Sequence, residues 1–180
     1  MICGAIINEK NFGVNSIVFN EKNKIDNIIN CPFCGVSQEF LSESMEVLST
    51  DSKLLDENTL KILDHAVKLE IFNGDFYIKA AKKADNKKTK ELFMALSTVE
   101  MIHAKIHFKI GGFKNMPILT DVSYDKYKDD KALLDLANTK EKHAVSFYEK
   151  YKTEVEDKVI IKIFEAVCDV ERQHIILTIV

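Results

Sequence analysis

An internal repeat constrains this chain more than any other feature. Adding 71 to the positions of Glu70, Tyr77, Glu100 and His103 lands on Glu141, Tyr148, Glu171 and His174. Within each copy the two glutamates stand 30 residues apart, and the second is followed three positions later by a histidine. Residues at i and i+3 share one face of a helix. A spacing of that size suits one helix, a tight turn and a return along a second helix. The repeat therefore predicts two copies of a helix hairpin related by approximate two-fold symmetry. With fifteen Glu and five His in 180 residues, chance supplies fewer than one Glu-x-x-His pair. Two such pairs at one offset, with matching upstream Glu and Tyr, carry real information.

Apolar periodicity agrees with the repeat. From residue 58 onward the pattern is helical. Helix A is expected from about Thr59 to Ala84, with Leu63, Val67, Glu70, Gly74, Tyr77 and Ala81 on one face. Helix B is expected over 87–110, stopped by Gly111–Gly112, helix C over 129–151 and helix D from about Glu156 to the C-terminus. Short links A–B and C–D make antiparallel hairpins, whereas the B–C segment, which contains Pro117, is long. Two hairpins joined by one long crossover define an all-α fold, a ferritin-like four-helix bundle.

Glu70, Glu100, His103, Glu141, Glu171 and His174 interrupt stripes that are otherwise apolar. Four carboxylates in one core need compensating charge, because an unpaired buried carboxylate costs several kcal/mol. Two divalent cations balance them, and neutral imidazoles add affinity without changing the sum. One Glu from each of two helices and Glu-x-x-His from each of the other two is the ligand set of di-iron and di-manganese carboxylate bundles. The bland alternative is a metal-free bundle with these residues at its rim. Tyr77 and Tyr148, two turns past Glu70 and Glu141, suit either hydrogen bonding to the carboxylates or plain core packing. His107, whose counterpart in the repeat is Thr178, reads as a core histidine, His65 and His143 as surface or packing residues, and Cys168 as a buried structural cysteine.

Residues 1–36 differ in character. They hold Cys3, Cys31 and Cys34, three of the six glycines and short β-compatible pieces at 5–7 and 16–19, and they are expected to form a small metal-dependent β module. Residues 37–57 read as a linker or short helix, and 58–180 as the bundle. Cys31-Pro32-Phe33-Cys34-Gly35 is a thiolate knuckle, and Cys3-Gly4 matches the second half of another. The module thus offers three thiolates for one Fe or Zn ion. The fourth donor is left open between the Met1 amine, water and a residue of another chain, as is an empty site.

These residues together resemble the rubrerythrin family within the ferritin-like superfamily. The resemblance covers helices A to D and extends to a degenerate rubredoxin-like knuckle module. It implies two iron ions, with Glu100 and Glu171 bridging them, Glu70 and His103 completing one, and Glu141 and His174 the other. Typical members carry a further Glu one turn after the helix C ligand. Ala144 stands there, which leaves the symmetric six-ligand set of bacterioferritin-like proteins. The implied activity is reduction of hydrogen peroxide by a non-haem di-iron oxidoreductase, drawing electrons from an unknown donor, in a homodimer. The alternatives are a ferroxidase using oxygen or peroxide, and a non-enzymatic metal-stabilised bundle. Manganese shares iron's oxygen and nitrogen ligand preferences.

Other classes find no support. Net charge is −3 with Lys and Glu intermixed, which gives no basic footprint for nucleic acid. Apolar runs fall far short of the roughly 20 residues of a membrane helix. The N-terminus lacks the pattern of a secretory signal, and a Cys-x-x-Cys pair without one suits a reducing compartment, so the expected location is the cytoplasm.

Overall fold

The computed structural model describes residues 1–19, 22–44 and 46–179. Four helices make up the bundle: α1 Glu57–Lys83, α2 Lys87–Ile110, α3 Asp130–Tyr151 and α4 Lys158–Leu177. Each begins at a side chain that accepts from otherwise unpaired first-turn amides. Asp56 caps α1 at the Thr59 amide, Asn86 caps α2, Asp129 caps α3 at Ala132, and Asp157 caps α4 at Val159 and Ile160. These caps move the starts of α1 and α4 by two residues from the periodicity-based limits. Gly112, at φ +63°, follows the last turn of α2 as anticipated.

α1 packs chiefly on α2, and α3 on α4, giving the two hairpins. Gly74 brings α1 close to α2: a Cβ there would lie 3.1 Å from the Met101 sulfur, and Ser97 Oγ donates to the Gly74 carbonyl at 2.9 Å. Asp130, at the head of α3, accepts from the Asp85 and Asn86 amides and so ties the tight turn of one hairpin to the start of the other. The crossover runs along α1, held by Lys79 to Asp121 and Lys83 to Asp125, with Tyr124 buried edge-on against Phe76. No helix among the described residues is long and apolar enough to cross a membrane.

The N-terminal segment contains no strands among its described residues. Ser16–Val18 is a 3-10 turn, and β pairing is limited to two isolated bridges, Lys24 with Asn27 and Asn30 with Ser37. At 16–19 the chain turns instead: Asn15 is left-handed at φ +59° and its carbonyl accepts from the Val18 amide. Asn23 braces the loops on either side. Its amide donates to the Phe12 and Asn30 carbonyls and its oxygen accepts from the Ile29 and Asn30 amides, so one side chain satisfies backbone groups that a partner strand would otherwise take. The segment lies over α2 and α4. Gly35, at φ +79°, sits so close to α4 that a Cβ would come within 2.8 Å of Val170 Cγ1.

Candidate metal centre

The helical repeat places all six carboxylate and imidazole residues in the bundle interior, each at 0% exposure. Their ligating atoms form two overlapping groups: Glu70, Glu100, His103 and Glu171, and Glu100, Glu141, Glu171 and His174. Within each group the atoms lie within 4.8 Å of one another. Glu100 and Glu171 belong to both. Glu70 and His103 lie on one side of that shared pair, and Glu141 and His174 on the other.

Two tyrosines cross the bundle to complete the carboxylate shell. Tyr77 on α1 donates to Glu141 Oε1 on α3, and Tyr148 on α3 donates to Glu70 Oε1 on α1. Each reaches the opposite half of the repeat instead of the glutamate on its own helix. His107 Nε2 lies 2.8 Å from the Tyr148 oxygen, its ring stacked on the tyrosine at 5.6 Å. Since Tyr148 donates onward to Glu70, that imidazole nitrogen is the donor. At the symmetry-related position Thr178 instead donates its hydroxyl to the His174 carbonyl at 2.9 Å. No histidine therefore supports Tyr77.

The histidines differ too. His103 Nε2 lies 2.8 Å from the Cys34 carbonyl, which can only accept, so this nitrogen carries hydrogen and Nδ1 faces Glu171 Oε1 at 3.1 Å. His174 Nδ1 lies 3.2 Å from Glu100 Oε1 and 3.3 Å from Glu171 Oε2, but neither of its ring nitrogens makes a hydrogen bond. Sequence periodicity could not reveal the Cys34 contact, because a carbonyl belongs to every residue type. His107 did leave a signal, one turn beyond His103 on the inner face.

Electrostatics show how little this cluster tolerates being charged. Burial, then the Glu171 charge, push Glu70 up to about 7 and drive Glu100 and Glu141 well above the ordinary carboxylate range. Burial acts the same way on Glu171, but His103 and His174 outweigh it and hold that carboxyl below its usual range. Burial alone would depress His103; its bond to Glu171 outweighs this and lifts it to about 9. His107 is pushed down to about 3 by burial and by the His103 charge, and stays neutral. Without cations the site therefore keeps protons on most of its carboxyls. Even so, Glu70 Oε2, both Glu100 oxygens, Glu141 Oε2, Glu171 Oε2 and both His174 nitrogens lack hydrogen-bond partners. The unpartnered carboxylate oxygens, gathered with His174 Nδ1 in one buried cluster, fit a pair of divalent cations with oxygen and nitrogen ligands.

The three N-terminal cysteines form a second cluster. Their sulfurs lie within 4.8 Å of one another, with Cys3 and Cys31 at 3.7 Å. Hydrogen bonds from Cys31, then Cys34, bring Cys3 down to about 3, and the same contact raises Cys31 to about 11. Cys168 lies apart, buried in α4 near the Val145 carbonyl. His65 and His143 are exposed.

No curated protein and no solved structure matches the chain significantly. The rubrerythrin family model matches residues 61–177, which takes in all six inward-facing ligand candidates and most of the bundle. On that match, with its buried Glu and His clusters, the chain belongs to the rubrerythrin family of ferritin-like di-iron proteins.

Proposed function

We propose that this protein reduces hydrogen peroxide at a di-iron centre held by Glu70, Glu100, His103, Glu141, Glu171 and His174. The observation that carries the proposal is the sharing of Glu100 and Glu171 between two four-residue groups, a donor set for two adjacent ions bridged by two carboxylates. A pair of Fe(II) ions supplies two electrons, the number consumed when one peroxide becomes two waters.

The protein's own groups supply the rest. Glu70 and His103 complete one ion's ligands, and Glu141 and His174 the other's. Nε2–H of His103 held on the Cys34 carbonyl turns Nδ1 inward as the ligating atom. Tyr77 and Tyr148 donate into Glu141 and Glu70, which holds those carboxylates in place and keeps a phenolic proton one bond from the centre. Phe76, Phe93, Phe164, Leu63 and Leu96, all at 0% exposure, keep bulk water away. Complete burial of the six donors favours a substrate of very few atoms, as peroxide and oxygen are. With iron bound, the thiolate cluster, joined to His103 through the Cys34 carbonyl, would supply electrons from an external donor to a site that must be re-reduced after every turnover.

A second reading, ferroxidase, is favoured by Ala144. It is fully buried one turn after Glu141, so the extra glutamate of typical rubrerythrins is missing. Stopped-flow mixing of the di-Fe(II) protein with peroxide and, separately, with oxygen decides between them. Fast stoichiometric oxidation by peroxide with slow reaction toward oxygen is expected. Faster reaction with oxygen, with continued uptake of added Fe(II), overturns the peroxidase in favour of the ferroxidase.

A further inference from the structure

Between α1, α3 and the crossover lies a cavity of about 440 Å³, a volume in the range of small-molecule sites. Leu69, Phe72, Val122 and Leu136 supply its apolar walls. Three polar side chains also line it: Asn73, Tyr124 and Lys140, buried at 1%, 6% and 9% exposure. Among the described residues, Asn73 Nδ2 and the Tyr124 hydroxyl have no hydrogen-bond partner. The Lys140 ammonium lies 3.5 Å over the centre of the Phe72 ring and makes no ion pair among the described residues. Buried polar groups left in this state cost stability. The repeat does not supply them either, since the offset of 71 pairs Lys140 with Leu69 and Asn73 with Ala144. Both are polar departures from an apolar pattern, and both face the same space.

We propose that this cavity binds a small carboxylic acid as its anion, with the carboxylate among Lys140, Asn73 and Tyr124 and a short apolar body along Leu69, Val122 and Leu136. Each of the three polar groups can donate a hydrogen bond, and a carboxylate accepts several. The lining contains no Asp or Glu, although the chain has 28 such residues and a net charge of −3, and Lys126 adds a second ammonium at an exposed position. Of the carboxylates whose charge reaches Lys140, Asp75 is held by Lys79 at 2.7 Å, and Glu141 and Glu100 belong to the metal centre. A bare inorganic anion suits the cavity less well, because it covers none of the apolar wall; an apolar body releases water from that wall. The proposal stands independently of the peroxide reading, since none of the three donors is a candidate metal ligand.

The test uses the full chain loaded with diamagnetic Zn(II), and hexanoate as the probe, followed by calorimetry and NMR. Saturable binding is expected, with Overhauser contacts from the hexanoate methylenes to the rings of Phe72 and Tyr124. Lys140→Met should weaken hexanoate at least about tenfold and change binding of 1-hexanol, which has the body without the charge, only slightly. Leu136→Trp, which fills the cavity from a half-buried position, should abolish binding of both. Hexylammonium and inorganic phosphate probe the unaltered chain, and each should bind at least about tenfold more weakly than hexanoate. No saturable hexanoate binding, equal binding of hexylammonium, or full affinity in Lys140→Met overturns the proposal. Phosphate binding as tightly as hexanoate makes this a bare anion site and overturns the assigned ligand class. Carboxylates also coordinate metals, so the titration is repeated on the metal-free chain. Unchanged affinity there supports the cavity, whereas binding that disappears with the ions places hexanoate at the metal centre and overturns the proposal.

Discussion

The two buried tyrosines offer an internally controlled test of the carboxylate shell. Tyr77 and Tyr148 occupy equivalent positions in the repeat, both at 0% exposure, and each donates to one glutamate across the bundle. Changing either to Phe removes one buried oxygen from an otherwise identical ring, so packing and transfer contributions should nearly cancel between them. The consequences for hydrogen bonding differ. Tyr77→Phe leaves one group, Glu141 Oε1, without its donor. Tyr148→Phe leaves Glu70 Oε1 without its donor and also strands His107 Nε2–H, whose partner is the Tyr148 oxygen. Each orphaned buried group costs about 1–3 kcal/mol. Tyr148→Phe should thus destabilise the metal-free protein by about 1–3 kcal/mol more than Tyr77→Phe. His107→Phe in the Tyr148→Phe background removes the stranded donor, so the double variant should be more stable than the sum of its singles by a similar amount. Urea unfolding followed by far-ultraviolet circular dichroism measures the four variants against the wild type, with constant m-values as the check that the unfolded states are comparable. Equal losses for the two tyrosines, or strict additivity of Tyr148→Phe and His107→Phe, would refute the assigned His107–Tyr148–Glu70 chain.

Three further outcomes follow from the geometry. Glu100→Ala and Glu171→Ala should each abolish binding of both ions, whereas Glu141→Ala should mainly weaken one; metal analysis that finds two ions per chain in Glu100→Ala would remove the bridging assignment. Gly35→Ala combines an unfavourable φ of +79° with a Cβ 2.8 Å from Val170 Cγ1 and should cost about 2–4 kcal/mol from backbone strain and overpacking together; urea unfolding should show the loss, and Val170→Ala in that background should restore part of it, a rescue that fails if the clash is not the cause. Metal uptake by the bundle should weaken as pH falls, because Glu70 keeps its proton up to about 7 and His103 to about 9, and cations must displace those protons; apparent affinity should change about tenfold per pH unit for each proton released, and a pH-independent calorimetric titration would contradict this.

The helices and the inward face of the site were legible in the sequence because a buried carboxylate is costly enough to be conspicuous. Glu70, Glu100, Glu141 and Glu171 each break an apolar stripe, and a fixed offset between the breaks fixes the pairing of hairpins before any coordinates exist. Contacts between elements left no comparable trace. Periodicity places Tyr77 on the face of Glu70, yet its hydroxyl reaches Glu141 on another helix, a choice made by helix packing and not by spacing. Cys34 attracted notice as a thiol, but its contact with His103 runs through the carbonyl. The expected β pieces failed for a similar reason: β-compatible residues at 16–19 are a weak local preference, and a turn closed by the Val18 amide on the Asn15 carbonyl settles the backbone otherwise.

The departures from two-fold symmetry all fall on one side of the site, and this has a consequence for loading. On the Glu70–His103 side, Cys34 fixes the tautomer and ring orientation of His103, and His107 supports Tyr148. On the Glu141–His174 side neither support exists: His174 has no partner at either nitrogen, and Thr178 replaces the second histidine. An imidazole already held in its ligating orientation loses less freedom on binding a cation, and partners of this kind change metal affinity about 10–100-fold. The first ion should therefore enter beside Glu70 and His103 and the second beside Glu141 and His174, with dissociation constants at least about tenfold apart. Anaerobic Fe(II) titration should resolve two steps. His174→Ala should remove the weaker step and leave the tighter one, while His103→Ala should remove the tighter. Two steps of equal affinity, or loss of the tighter step in His174→Ala, would show that the knuckle's grip on His103 does not order the site.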